Sequence, residues 1–180
     1  MIKKFAEFIN EDFTDLYKRW KNKEVRKEDK LNKDTVLEFA KKNKIPENNL
    51  LFHDDRVDFK CDLYINDIED IRFNIGEVFG NFDISSLRIT QITNLCPKKV
   101  HGNYVVSDNL LIDFTNSPEE VDGSFIAVEC DRLQSLKGLP KNIGGTLTIT
   151  TGDDRFSESD IPQGTVVEGQ IRFTIRRRKK

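Results

Sequence analysis

Histidine and cysteine are scarce in this sequence, and their scarcity limits the chemistry that the chain can carry. Its 180 residues include two histidines, His53 and His101, and three cysteines, Cys61, Cys96 and Cys130. An odd number of cysteines without a C-x-x-C spacing favours three reduced, mostly buried thiols over a disulfide framework or a zinc site. Neither histidine has a recognisable serine or cysteine partner or ligands at metal spacing, so we expect no catalytic residue, no cofactor and no metal.

Long apolar runs are also missing. No apolar run approaches the ~18 residues of a membrane span, and no signal-like segment is present, so the sequence predicts neither membrane insertion nor secretion. Charge is uneven: residues 51–175 carry 11 basic and 21 acidic side chains, whereas residues 176–180 read RRRKK. Nucleic-acid binding requires neutralisation of phosphates, so the acidic body argues against it and leaves only the basic tail as a candidate.

What the sequence does contain is one pattern, V-x-G-x-F-x-I, repeated five times. Its glycines are Gly80, Gly102, Gly123, Gly145 and Gly169, at steps of 22, 21, 22 and 24 residues. A fixed period of this size is the signature of a solenoid. Because apolar residues alternate within each copy, every copy is predicted to be a β-strand with one buried face. The glycines belong to the inward columns of this pattern and predict a close approach of another layer.

A second apolar segment follows each of the first three strands and ends near Pro97, Pro118 or Pro140. Proline lacks the N–H of a sheet ladder, so each should mark a turn, and one coil is then a strand, a turn, a return segment and a proline turn. Residues 57–75 are predicted to form an atypical first coil, in which Asp58 occupies the place of the glycine.

The residues before the solenoid are predicted to be helical. An amphipathic helix over residues 2–20 carries one apolar stripe, formed by Ile2, Phe5, Ile9, Phe13, Leu16 and Trp20. This helix either caps the open end of the solenoid or is a detachable targeting segment. A capping-box pattern at Thr35 and Glu38 predicts a second helix over 35–43.

The predicted fold class is α+β, with three parts. Residues 1–50 form a helical N-terminal region or cap, residues 51–175 a leucine-rich-repeat-like β-solenoid, and residues 176–180 a basic tail.

Two stretches carry a family resemblance. PKKVHGNYVVSDNLL and RLQSLKGLPKNIGGTLTIT resemble the leucine-rich-type repeats in small proteins of T-even-like tailed bacteriophages. They are also similar to the short L-P-x-x-L repeats of secreted bacterial effectors. The best copies cover residues 77–150, and the asparagine of the repeat is present only as Asn109. The resemblance implies a phage protein with a repeat architecture, and it names no activity.

The first eleven residues, MIKKFAEFINE, carry a second resemblance. They are similar to the capsid-targeting leader of T-even phage internal head proteins, M-K-x-x-x-E-F-I-x-E. In that family a head-maturation protease cuts after a [Leu/Ile]-x-Glu site, which Ile9, Asn10 and Glu11 match here. This resemblance implies packaging in the virion head and delivery with the genome.

The outward side chains of the five predicted strands form the candidate partner-binding face. Its members are Asn81, His101, Asn103, Val105, Asp122, Ser124, Ile126, Thr146, Thr148 and Gln170. Val105 and Ile126 would give a small exposed apolar spot, and such spots mark contacts. An ordinary polar ladder on a parallel sheet is the alternative interpretation of the same columns.

From these observations we expect a non-enzymatic bacteriophage protein that binds another protein, a host factor, through its solenoid in the host cytoplasm. The alternative is an internal head protein of the virion, and an enzyme ranks third.

Overall fold

The computed structural model describes residues 31–92 and 96–176. Within them, α1 (Lys33–Lys42) is the single α-helix, and 13 short strands follow it. The predicted helix over 2–20, the leader over 1–11 and the tail after Arg176 lie outside the described residues.

The strands alternate between two sheets. Sheet A contains β1 (Leu50–Phe52), β2 (Val57–Phe59), β4 (Ile75–Val78), β6 (Lys99–Val100), β8 (Glu120–Val121), β10 (Asn142–Ile143) and β12 (Val166–Val167). Sheet B contains β3 (Leu63–Tyr64), β5 (Phe82–Asp83), β7 (Tyr104–Val105), β9 (Phe125–Ala127), β11 (Leu147–Thr151) and β13 (Ile171–Ile175). Strands lie side by side in chain order, and all pairs are parallel except β1 with β2. A chain that visits both sheets once per turn is a β-solenoid, as the period predicted.

The apolar inward columns are those that the repeat predicted. In sheet A, Val78 pairs with Val100 and Val100 with Val121, so equivalent positions of successive repeats lie side by side. In sheet B the same register joins the aromatic positions Phe82 and Tyr104. All of these side chains are buried. Each coil therefore buries its own apolar columns against those of its neighbours, which lets a polar chain keep a continuous core.

The repeated glycines lie at the corner between the two sheets and divide each predicted strand into two. The close approach is confirmed, but its direction differs from the prediction. A Cβ on Gly102 would lie 2.6 Å from the carbonyl carbon of Gly80, and one on Gly123 would lie 2.5 Å from the carbonyl oxygen of Gly102. The column thus faces the preceding coil rather than the interior, and the missing Cβ lets successive corners stack. The Gly102 N–H donates to the Gly80 carbonyl oxygen at 3.0 Å.

The return segments have no regular strand within the described residues, and buried polar contacts hold them. Asn109 is buried, and its side-chain N–H groups donate to the carbonyl oxygens of Ile84, Val106 and Ser107. Its Oδ1 accepts the N–H of Ile89 at 3.2 Å. One asparagine therefore satisfies backbone groups of two coils at a place where no strand pairing exists.

The first coil departs from the prediction. Leu63 pairs with Phe82, a step of only 19 residues, so the residue stacked under Gly80 is Cys61 and not Asp58. Asp58 is instead a buried residue of β2, and its Oδ1 accepts the N–H of Glu77 at 2.9 Å. The first coil is shorter than the later ones, so a count of one full period back from Gly80 reaches Asp58 and not Cys61.

The N-terminal end of the solenoid is covered by α1. Val36, Phe39 and Ala40 lie on one face of the helix and are buried, with Phe39 in edge contact with Phe59 and Phe73. The helix starts one turn before the predicted capping box, because Asn32 is the N-cap. The Oδ1 of Asn32 accepts the N–H groups of Asp34 and Thr35, two of the four donors that a helix start leaves unpaired.

Candidate functional site

The outer face of sheet A carries a compact group of aromatic and charged side chains, here called the sheet A cluster. It consists of Glu77, Phe79, Lys99, His101, Glu120 and Asp122. They come from three neighbouring coils, because Glu77 pairs with Lys99 and Lys99 with Glu120 across β4, β6 and β8. The period of 21 to 22 residues thus assembles the cluster from residues distant in sequence.

His101 lies at the centre of the sheet A cluster. Its Nε2 is 2.9 Å from Oε2 of Glu77, and its Nδ1 is 3.0 Å from Oδ2 of Asp122. The Nε2 contact is a hydrogen bond, and the Nδ1 contact brings the Asp122 carboxylate to the opposite edge of the ring. The ring also stacks on Phe79, with centroids 4.5 Å apart and planes 11° apart. Phe79 itself remains 47% exposed.

Lys99 joins the carboxylates on the other side of the cluster. Its Nζ lies 3.1 Å from Oε2 of Glu120 and 3.1 Å from Oδ1 of Asp122. The hydrogen bonds to Asp122 and Glu120 raise the pKa of Lys99, so the ammonium form is favoured. The exposed phenyl ring of Phe79 therefore lies beside a network of charged side chains that hold one another in fixed orientations.

The predicted polar column lies at the corner between the sheets and is mostly engaged within the solenoid. The backbone N–H of each member donates to a side-chain oxygen one coil earlier: Asn103 to Asn81 at 2.8 Å, Ser124 to Asn103 at 2.8 Å, and Thr146 to Ser124 at 3.0 Å. The predicted alternative of a structural polar ladder therefore describes these side chains. Gln170 differs, because its Oε1 accepts from Arg172 on its own strand at 3.0 Å.

The outer face of sheet B carries a row of paired side chains, here called the sheet B row. Its members are Asp83, Val105, Ile126, Thr148 and Arg172. Val105 and Ile126 pair with each other in neighbouring strands and point outward, as predicted, but they are half-buried and not the exposed spot that the sequence predicted. The candidate face is thus divided by the glycine corner into two surfaces on different sheets.

Sequence reasoning placed His101 and Asp122 in the candidate face but missed Glu77, Lys99 and Glu120. The signal was available, because these three residues are one period apart and directly precede the first inward column. Among the described residues no group of three or more His, Cys, Asp or Glu side chains is arranged to hold a metal ion. His53, the other histidine, has its Nε2 2.6 Å from Oδ2 of the buried Asp58.

The three thiols are free in the structure, but only Cys130 is fully buried, whereas Cys61 and Cys96 are half-buried; the prediction that most of them are buried is wrong. Burial raises the pKa of the Cys96 thiol to about 12 and that of Cys130 to about 11. Burial and the neighbouring carboxylate of Asp62 raise the pKa of Cys61. All three therefore carry little of the thiolate that nucleophilic chemistry uses near neutral pH.

Within residues 31–92 and 96–176, no helix is both long and apolar enough to cross a membrane. In comparisons with known proteins, no family model, no curated protein and no solved structure matches this chain.

Proposed function

We propose that this chain is a non-enzymatic bacteriophage protein that binds a host protein, and that the sheet A cluster is the centre of its binding surface. The assignment to a phage rests on the resemblance of the repeats and of the first eleven residues to phage proteins. The same resemblance is the support for describing the solenoid as leucine-rich-repeat-like. The choice of surface rests on geometry.

One observation carries that choice: Phe79 is an exposed aromatic side chain that stacks on His101, beside an oriented charge network. Residues that dominate protein–protein binding are most often large aromatic or arginine side chains surrounded by polar groups that exclude water. A phenyl ring held by stacking on His101 loses little rotational freedom when it binds, which reduces the entropic cost of association. The half-buried pair Val105 and Ile126 on sheet B offers a second apolar contact beyond the corner.

The test is a comparison of variants against a purified partner. Proteins captured from infected cells by the wild-type chain are identified by mass spectrometry, and the binding of each is then measured with purified components. Phe79→Ala is expected to weaken binding by about thirtyfold, the ~2 kcal/mol of a binding hot spot. Val166→Ala is the matched control, since Val166 is another exposed apolar residue of sheet A, 54% exposed and outside the cluster.

The sheet B row needs a separate variant. Val105→Asp combined with Ile126→Asp should leave folding intact, because both side chains point outward, and should weaken binding if the partner reaches across the corner.

Equal affinity of the partner for the wild type and for Phe79→Ala would rule out the sheet A cluster as the centre of the binding surface. Unfolding of the Val105 and Ile126 double variant would contradict the outward orientation, since a register slip exchanges the two faces of a strand.

A virion internal head protein is the second candidate function, and Ile9-Asn10-Glu11 is the observation that favours it. The cap formed by α1 lies downstream of this site, so cleavage after Glu11 leaves that cap in the chain. Mass spectrometry of purified virions separates the two functions. A virion copy that begins at Asp12 would favour the head protein, and absence from virions together with a host partner in the infected cell would favour the binding module.

A further inference from the structure

The last coil leaves an apolar edge open. Ile171 and Phe173 of β13 continue inward columns whose earlier members are buried, yet both are only half-buried. Ile175 is 52% exposed. Residues 177–180, which follow, are all basic. At five residues, β13 is also among the longest strands of the solenoid.

The backbone of β13 presents unpaired groups at the same edge. The carbonyl oxygen of Gln170 accepts from Leu147, and the N–H of Arg176 donates to Thr151, so even-numbered residues direct their N–H and C=O groups toward β11. Because these groups alternate in direction along a strand, those of Ile171, Phe173 and Ile175 point away from β11. Among the described residues no strand pairs with that side of β13.

We propose that β13 pairs with β13 of a second copy of this chain, antiparallel and centred on Phe173, to form a closed two-fold dimer. In that register Phe173 lies opposite Phe173 of the second copy, and Ile171 lies opposite Ile175 of the second copy. The three residues with free backbone groups become the hydrogen-bonded pairs of an antiparallel ladder, because each such pair exchanges both of its N–H···O bonds. The same strand from each copy thus forms one half of the ladder. This self-pairing of one surface is what an isologous two-fold interface requires.

The side chains fit the same register. Apolar side chains meet apolar side chains on the inner face: Ile171 meets Ile175, and Phe173 meets Phe173. On the outer face, Arg172 lies opposite Thr174 and not directly opposite another arginine. The antiparallel direction also carries Arg176 toward the acidic body of the other copy, in which residues 51–175 have 11 basic and 21 acidic side chains. This charge complementarity favours a second copy as the occupant.

A closed pair fits the molecule better than an open filament. A filament would join β13 of one copy to β3 at the N-terminal edge of sheet B in the next. That edge is two residues long, against five for β13, and α1 covers the core at that end. Pairing β13 with itself instead matches two strands of equal length and joins two six-stranded sheets into one.

The test is sedimentation velocity of the full chain over a range of concentrations, with variants that distinguish the register. The wild type is expected to be a concentration-dependent dimer. Ile175→Lys is expected to be monomeric, because Ile175 is exposed in the single chain but buried in the dimer. In protein dilute enough for both to be monomers, it should melt at the same temperature as the wild type. Asn142→Lys adds the same charge at an exposed position of sheet A and is expected to dimerise like the wild type.

Charge changes at residue 174 test the register directly. Thr174→Glu places a carboxylate opposite Arg172 of the second copy and is expected to lower the dimer dissociation constant about threefold to tenfold, since two equivalent cross-strand pairs form. Thr174→Lys is expected to raise it by a similar factor. A wild type that is monomeric at every concentration, with this edge covered by residues 1–30 or exposed, overturns the proposal. An open series of larger oligomers would also overturn it. So would a dimer whose dissociation constant is unchanged by Ile175→Lys and by both Thr174 variants.

Discussion

At the N-terminal end of the solenoid α1 and β1 cover the first coil, whereas at the C-terminal end the inner side chains of the last coil stay partly exposed. Val57, Phe59 and Leu63 of the first coil are fully buried. At the other end Ile171 and Phe173 are half-buried and Ile175 is exposed. Both ends belong to one repeat array, so the difference arises from what lies beyond the array at each end.

The contrast shows what a solenoid needs from its ends. A repeat buries each face against a neighbour, so a terminal repeat has one face without a partner. At the N-terminal end an amphipathic helix and an antiparallel strand supply that partner. At the C-terminal end Arg172 lies on the edge strand and Arg176 directly follows it, where it contacts Glu129 at 3.4 Å and Asp131 at 3.5 Å. Charged side chains on an edge restrict indiscriminate strand pairing but do not bury the apolar residues beneath.

The largest expected effect is a difference in the loss of unfolding free energy between variants at the two ends. Phe39→Ala removes a side chain that is 5% exposed and packed against Phe59 and Phe73, and it should lower the free energy of unfolding by about 3–5 kcal/mol. Phe173→Ala, the same change at the half-buried end, should cost less than half as much. Urea unfolding of dilute protein measures both. Equal losses would show that Phe173 is as well covered as Phe39, which removes the contrast between the ends.

A smaller effect is expected at the glycine corner. Gly102→Ala places a Cβ 2.6 Å from the backbone of Gly80 while the next coil holds it from the other side, so overpacking should cost about 2–3 kcal/mol. Gly169→Ala meets the carbonyl oxygen of Gly145 at a similar 2.5 Å, but the last coil is free to move outward, and about 1 kcal/mol is expected.

Gly152→Ala is the control for these variants, because its Cβ would meet only the Asp131 side chain at 3.5 Å, an ordinary contact. It should leave the melting temperature almost unchanged. If Gly169→Ala were as damaging as Gly102→Ala, the last coil would be held as firmly as the central ones.

The smallest effect is a difference in thiol labelling. Cys96 and Cys130 are held as thiols by burial, which raises their pKa values to about 12 and about 11, so alkylation of the native protein at pH 8 should be slow at both. Cys130 lies closer in sequence to the open end, so in mild urea we expect it to react before Cys96 as the last coils open. Rates from peptide mapping give the order. Because Cys96 is half-buried in the folded chain, each rate is compared with its value without urea. A larger increase at Cys96 than at Cys130 would mean that opening starts elsewhere.

The sequence predicted much of the fold because the solenoid repeats one local rule. The inward columns through Val100, Tyr104 and Val106 follow from alternation and period, and both are properties of the chain itself. The outward orientation of Val105 and Ile126 follows from the same alternation. An isolated period of two does not reveal a corner, however, because the alternation continues through Gly102 while the backbone passes from one sheet to the other.

The features that were missed depend on spacing between coils. Asp58 was placed under Gly80 by counting one full period, but the first coil is 19 residues long and brings Cys61 there instead. The N-cap was placed at Thr35, although Asn32 performs that role through a short-range hydrogen bond. The partners of His101 follow from the period, yet which side-chain atoms meet depends on rotamers that periodicity does not specify.

Residue-resolved hydrogen–deuterium exchange along β13, in protein dilute enough to be monomeric, tests the open C-terminal end most directly. The amides of Arg172, Thr174 and Arg176 face β11, whereas those of Ile171, Phe173 and Ile175 point away from it, to a side where no described strand lies. We predict alternating slow and fast exchange, with the fast set becoming protected as the concentration rises and dimers form. Uniform protection of all six amides at the lowest concentration would contradict the account, because it would mean that this end of the solenoid is already closed within the single chain.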